Sequence, residues 1–179
     1  ATFRVMRNLA RAHAVAYRAI HELSPGAQVG IATHIMSWRP RRPWLPLDIL
    51  ATNLIGHLFH FLLLDMVTVG IMRIPGRRLS RVPEAARTLD WLGVNYYQQY
   101  RIRFNPFSAG TLFMDLCTKA GVTKGPGGWG EIHPRGMFDT LRMMWKHYRL
   151  PIIITENGIP DPTDEQRPQF IVTHLAQLW

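Results

Sequence analysis

A single cysteine, Cys117, occurs in 179 residues, so no disulfide framework holds this chain. The histidines are scattered, and no Cys/His cluster has zinc-ligand spacing, so no structural metal site is expected. There is no GxxxxGK[ST], and no glycine-rich phosphate loop follows any expected strand, which argues against a nucleotide-binding sheet. A secretory signal with a basic start, an apolar middle and a small-residue cleavage site is also missing. The longest uncharged apolar stretch, Ile49 to Leu64, is broken by Asn53, His57 and His60 and runs into Asp65. It falls short of the ~20 apolar residues of a membrane span and reads as a buried amphipathic helix. A cytoplasmic location with no membrane partner is therefore the default expectation.

Acidic residues are few: 12 Asp and Glu stand against 21 Lys and Arg, a formal net charge of +9. The basic clusters, Arg39, Arg41 and Arg42, then Arg77 and Arg78, lie among Pro and Gly in expected loops, with no basic helix. They read as solvated surface rather than a nucleic-acid site, so no nucleic-acid partner is expected. Hydrophobic residues make up 47% of the chain, enough for a core, and the length fits one domain, 1–179.

The periodicity alternates between helix and strand. A helix is expected over Thr2–Leu23, stopped by Ser24-Pro25-Gly26. A buried strand follows over Gln28–Ile35, then a Pro- and Arg-rich loop from Trp38 to Pro46 and a helix over Leu47–Val69. After a loop from Pro75 to Pro83, Leu89–Tyr97 reads as a second strand. A long connection, 98–133, precedes a helix opened by Pro134 and running to Tyr148. Pro151–Thr155 is the clearest strand, and Pro168 opens a last helix. Apolar strands alternating with helices imply parallel β/α units, and in a (β/α) barrel the chemistry sits at the strands' C-terminal ends. Here those ends carry His34, then Asn95, Tyr96 and Tyr97, then Glu156.

Glu156 closes an apolar strand just before Asn-Gly, where a carboxylate is held rigidly at the rim of a pocket, as a nucleophile or general base must be. On position alone, a strand-end glutamate that caps a loop is the commoner case. The segment Ile154-Thr-Glu-Asn-Gly158 resembles the nucleophile signature of family 1 glycoside hydrolases, the β-glucosidase/β-galactosidase family. Other blocks agree in order. Leu89-Asp-Trp-Leu-Gly-Val-Asn-Tyr-Tyr97 looks like that family's sixth barrel strand, and Gly128-Trp-Gly-Glu-Ile-His-Pro-Arg-Gly136 resembles its Trp-Glu-Ile-Tyr-Pro-Glu-Gly segment. Asn8–Ala14 looks like the helix after the fourth strand, and Ile159–Leu175 is similar to archaeal-type members.

The resemblance implies an α/β fold: a partial (β/α)8 TIM barrel of about three parallel strands, like the family's fifth to seventh. It implies a retaining β-glycosidase with Glu156 as nucleophile and Tyr97 as its hydrogen-bonding partner. Asn95 would lie near the sugar, and Trp129 would offer an apolar platform. The substrate would be a β-glucoside or aryl glycoside. The Asn-Glu-Pro segment that carries the family's acid/base is absent, Arg135 replaces the usual Glu after Pro134, and His133 replaces the usual tyrosine. Glu131, Asp161 and Asp164 are the carboxylates along the chain that could substitute. The chain opens and closes inside helical patterns, so it is expected to be a piece of a barrel. Open strand edges would then pair it with a second copy or a complementary barrel half. The alternative is a non-catalytic half-barrel acting as an interaction module.

Overall fold

A computed structural model describes residues 2–179. Helix α1 spans Thr2–Leu23, and β1 (Gly30–His34) and β2 (Ser37–Pro40) follow. A continuous helical run then comprises α2 (Pro46–Gly56), a π turn (His57–Phe61) and α3 (Leu62–Val69). A short hairpin of β3 (Ile71–Met72) and β4 (Ser80–Arg81) leads to β5 (Trp91–Tyr96), β6 (Gln99–Phe104) and β7 (Met114–Cys117). The chain continues through α4 (Pro134–Tyr148), β8 (Ile152–Asn157) and α5 (Arg167–Leu175).

Strands β1, β5 and β8 form one parallel sheet in the order β1-β5-β8, joined by helical crossovers. This is the expected partial-barrel arrangement. It is not closed: β1 and β8 are edges. One face buries Leu92, Val94 and Tyr96 of β5 against Leu64, Met66 and Met144 of the helices. The opposite face, which would line a barrel, carries Ala32, Asn95 and Ile153. It brings β1 and β5 so close that a Cβ on Gly93 would lie 2.7 Å from Ala32 Cα. Gly93→Val should therefore force the two strands apart and cost about 1–3 kcal/mol, read as a lower urea midpoint. An unchanged midpoint would show that the pair can spread freely.

A second sheet, β2-β6-β7, was not foreseen. Strands β1 and β5 break at the same level and continue as the parallel pair β2–β6, with Ile35 N–H donating to Asn95 O (3.0 Å) and Ser37 N–H to Gln98 O (3.3 Å) across the bend. So the expected loop after Trp38 begins with a strand, and the long 98–133 connection holds a β6–β7 hairpin over a small core of Ile102, Met114 and Ala51.

Two helices also differ from expectation. In α1 the buried residues are Ala10 and Ala14, while Val5, Leu9 and Val15 are 55%, 52% and 67% exposed. The helix thus has two apolar faces, and only one finds a partner. The Pro46–Val69 run is 24 residues, long and apolar enough by length and composition to cross a membrane. It nevertheless buries Asp48 and Asp65, each paired within the fold: Asp48 with Arg42, and Asp65 with Arg73 and Tyr148. The π turn brings His60 inward, where Nε2 accepts the Met36 N–H (3.1 Å) at the β1–β2 break. Such turns often mark functional positions.

Candidate active site at the strand ends

His34, Asn95 and Glu156 share one row across the parallel sheet, His34 opposite Asn95 and Asn95 opposite Glu156. A bulge precedes the row: Val94 pairs with Ile154 but Asn95 pairs with Glu156, leaving Thr155 as the extra residue. Both neighbours of Glu156 are tied to β5. Thr155 Oγ1 donates to Asn95 Oδ1 (2.5 Å), and Asn157 Nδ2 donates to Tyr96 O (2.7 Å). A bulge re-aims one side chain, and here the flanking bonds lock that aim. This gives the Thr-Glu-Asn order a physical meaning that sequence reading missed.

Tyr97 Oη donates a hydrogen bond to Glu156 Oε2. Burial, then the bond to Glu156 and its charge, push the Tyr97 phenol up to about 12, so it remains a donor at neutral pH. The Trp129 ring stands edge-on to Tyr97, centroids 5.9 Å apart at 79°, with its indole N–H buried and unpartnered among the described residues. The His34 ring also meets Tyr97 edge-on, at 5.2 Å and 78°. The structure thus gathers Asn95, Tyr97, Trp129 and Glu156 at one end of the sheet. Asn95 has its side-chain oxygen engaged by Thr155. Glu156 itself is exposed toward the open barrel face.

The three carboxylates considered as substitutes for an acid are all engaged elsewhere. Glu131 is 2% exposed and accepts from Gln99 Nε2 (2.7 Å), Arg101 Nε (2.9 Å) and Lys119 N–H (2.6 Å). Burial opposes its charge, but those bonds outweigh burial and hold its carboxyl below the ordinary glutamate value. Asp161 accepts the Gln166 and Arg167 N–H groups ahead of α5, and Asp164 pairs with Arg167 at 2.5 Å. Gly125-Pro-Gly-Gly-Trp-Gly130 does have GxGxxG spacing, but its neighbouring strand β7 belongs to an antiparallel hairpin and α4 begins only at Pro134, so no phosphate cradle forms. In the first basic cluster, Arg39 pairs with Asp139 and Arg42 with Asp48. A cavity of about 660 Å³ lies between the Pro46–Val69 helix and α4, beside His57, Asp65 and His147, and does not include Glu156.

The chain is similar to known proteins over nearly its whole length. The profile of glycosyl hydrolase family 1 matches residues 1–178. A β-galactosidase of Sulfolobus acidocaldarius is 33% identical over 178 residues, 96% of this chain and 35% of that protein. One from Saccharolobus solfataricus is 31% identical over 98% of the chain and 36% of its own length. The solved β-glycosidase of Pyrococcus horikoshii superposes with a TM-score of 0.83 at 30% identity, covering 98% of this chain and 40% of that one. The chain spans little more than a third of the length of these curated relatives.

Proposed function

The chain belongs to glycosyl hydrolase family 1, and from that premise we propose that it carries the nucleophile half of a retaining β-glycosidase acting on β-linked glucosides. The observation that supports this best is the placement of Glu156: end of a parallel strand, bulge-aimed, with a phenol donor on its carboxylate. Its oxygen attacks the anomeric carbon, the bond to the aglycone oxygen breaks, and the aglycone leaves with the electron pair. Water then attacks the same carbon and releases the Glu156 carboxylate. Tyr97 orients the nucleophile, Asn95 and Trp129 contact the sugar, and no cofactor takes part.

A retaining site wants a second carboxyl group about 5–5.5 Å from the first. Glu131, Asp161 and Asp164 are engaged elsewhere, so on this reading the acid is supplied by a complementary barrel half. Alone, the chain should act weakly and prefer aryl glycosides whose leaving groups need no proton. Incubation with a 2-fluoro-glucoside, which traps the glycosyl-enzyme, tests this reading; a folded chain that gains no mass would count against it. Tyr97→Phe removes a hydrogen bond to a charged group, so labelling should slow by about ten- to a hundredfold. An equal rate would show that Glu156 needs no such partner.

One observation favours a second reading, a non-catalytic interaction module. Helix α1 carries an exposed apolar stripe and β1 is an open sheet edge, two features that a further strand and helix would cover. A second copy could cover it too. Size-exclusion mass at low and high salt separates the cases: a stable complex without labelling of Glu156 would favour this reading.

A further inference from the structure

We infer that His34 is a positioning residue of this site: together with Trp129 it packs edge-to-face on the Tyr97 ring and so holds the phenol on Glu156. The inference rests on the reading of Glu156 as nucleophile. Tyr97 has few other restraints, because it lies just past the end of β5, where the backbone bends into β6. Its ring meets His34 at 5.2 Å and 78°, and Trp129 at 5.9 Å and 79°. Both are edge-to-face contacts, the geometry aromatic rings favour.

His34 is itself held from behind. Phe59, on the π turn, packs edge-on against it at 5.7 Å and 75°. The next residue of the turn, His60, accepts the Met36 N–H and fixes the backbone just after β1. The π turn therefore braces β1, whose last residue braces Tyr97, which holds Glu156. This links a helix irregularity on the outside of the sheet to the carboxylate at its end.

A phenylalanine could supply the same edge, so the imidazole needs a reason of its own. Neither ring nitrogen makes a hydrogen bond to protein among the described residues, and Nε2 is buried. Burial lowers the tendency of His34 to take a proton, and the Glu156 charge opposes that. The titratable groups that face His34 are Tyr97 and Glu156, at the ends of β5 and β8, and His60 on the π turn. Burial, with the charge of His34, brings His60 down to about 4, and burial with the bond to Glu156 pushes Tyr97 up to about 12, while His34 is held below its ordinary value by burial. A charged His34 would stabilise the Glu156 anion and make it a poorer nucleophile.

The test uses the full chain labelled with 13C-tyrosine, the Tyr97 signal being assigned by its loss in Tyr97→Phe. In His34→Ala the Tyr97 ring should flip faster and Glu156 labelling by the 2-fluoro-glucoside should slow, each by roughly three- to tenfold. His34→Phe should restore both at pH 7 to within about twofold, while moving the acid fall of labelling to lower pH because the titrating imidazole is gone. His34→Leu, which fills the space without an aromatic edge, gives the same contrast if the alanine variant does not fold. A Tyr97 ring indifferent to His34, or a phenylalanine that restores nothing, overturns the positioning role. Absence of any Glu156 adduct in the wild-type chain, with Tyr97 still responding to His34, removes the nucleophile reading and leaves the packing of His34 on Tyr97 intact.

Discussion

Glu156→Gln should abolish trapping by the 2-fluoro-glucoside and lower hydrolysis of aryl β-glucosides by on the order of 10³-fold or more. The amide has the shape of the carboxylate and can still accept from Tyr97, so folding should be unaffected and the loss chemical. The three carboxylates named as substitutes are committed to other contacts. Glu131 is buried among Gln99, Arg101 and Lys119, Asp161 accepts two backbone N–H groups ahead of α5, and Asp164 is paired with Arg167. Smaller still, Glu156→Gly opens a space beside the anomeric carbon that azide can enter. Azide should then restore turnover of activated glycosides and give the α-glycosyl azide, because attack comes from the face Glu156 used. Hydrolysis by Glu156→Gln at the wild-type rate would show that the activity resides elsewhere.

The second large effect is on stability. Glu131→Ala removes a buried carboxylate and leaves Arg101 Nε, Gln99 Nε2 and Lys119 N–H without their partner, so it should cost about 3–5 kcal/mol. For a chain of this size each kcal/mol lowers Tm by about 2–4 °C. The sign with pH follows from the depressed carboxyl of Glu131. Its contribution is present in full above the unfolded-state value, about 4.3, and is lost as pH falls through the lower folded value. Wild type and Glu131→Ala should therefore differ most near pH 7 and converge in acid. Urea midpoints at several pH values read this directly; a difference that does not shrink in acid would mean that Glu131 acts by packing alone.

Much of the architecture was legible because it follows local periodicity. Helix α4 has a first-turn proline and an amphipathic repeat, and β8 is a short run of isoleucines bounded by Pro151 and Asn157-Gly158. The second sheet was hidden for two reasons. Strand β2 is four residues carrying Arg39 and Pro40, and its partner β6 lies about 60 positions away, so nothing local marks it. A signal did exist in β6, where Tyr100-Arg-Ile-Arg-Phe104 alternates and Ile102 is buried. In α1 the helix was readable but not its partner: periodicity marks Val5 and Leu9 as a face, not whether anything covers it.

The site divides in the same way. Glu156 and Tyr97 stood out by their positions at strand ends and by motif. The restraints on them did not, because they depend on inter-strand register: the bulge at Thr155, its bond to Asn95, and the approach of His34 to Tyr97 join residues some 60 positions apart. Trp129 reaches Tyr97 from a stretch whose course is set by the bridges of Glu131 to Gln99 and Lys124.

The most direct measurement is the intact mass of the folded chain after incubation with a 2-fluoro-glucoside, followed by peptide mapping. One adduct, on the peptide that contains Glu156, is the expected result. An adduct on any other carboxylate, or none on a chain shown to be folded, would contradict the assignment of Glu156 as the nucleophile.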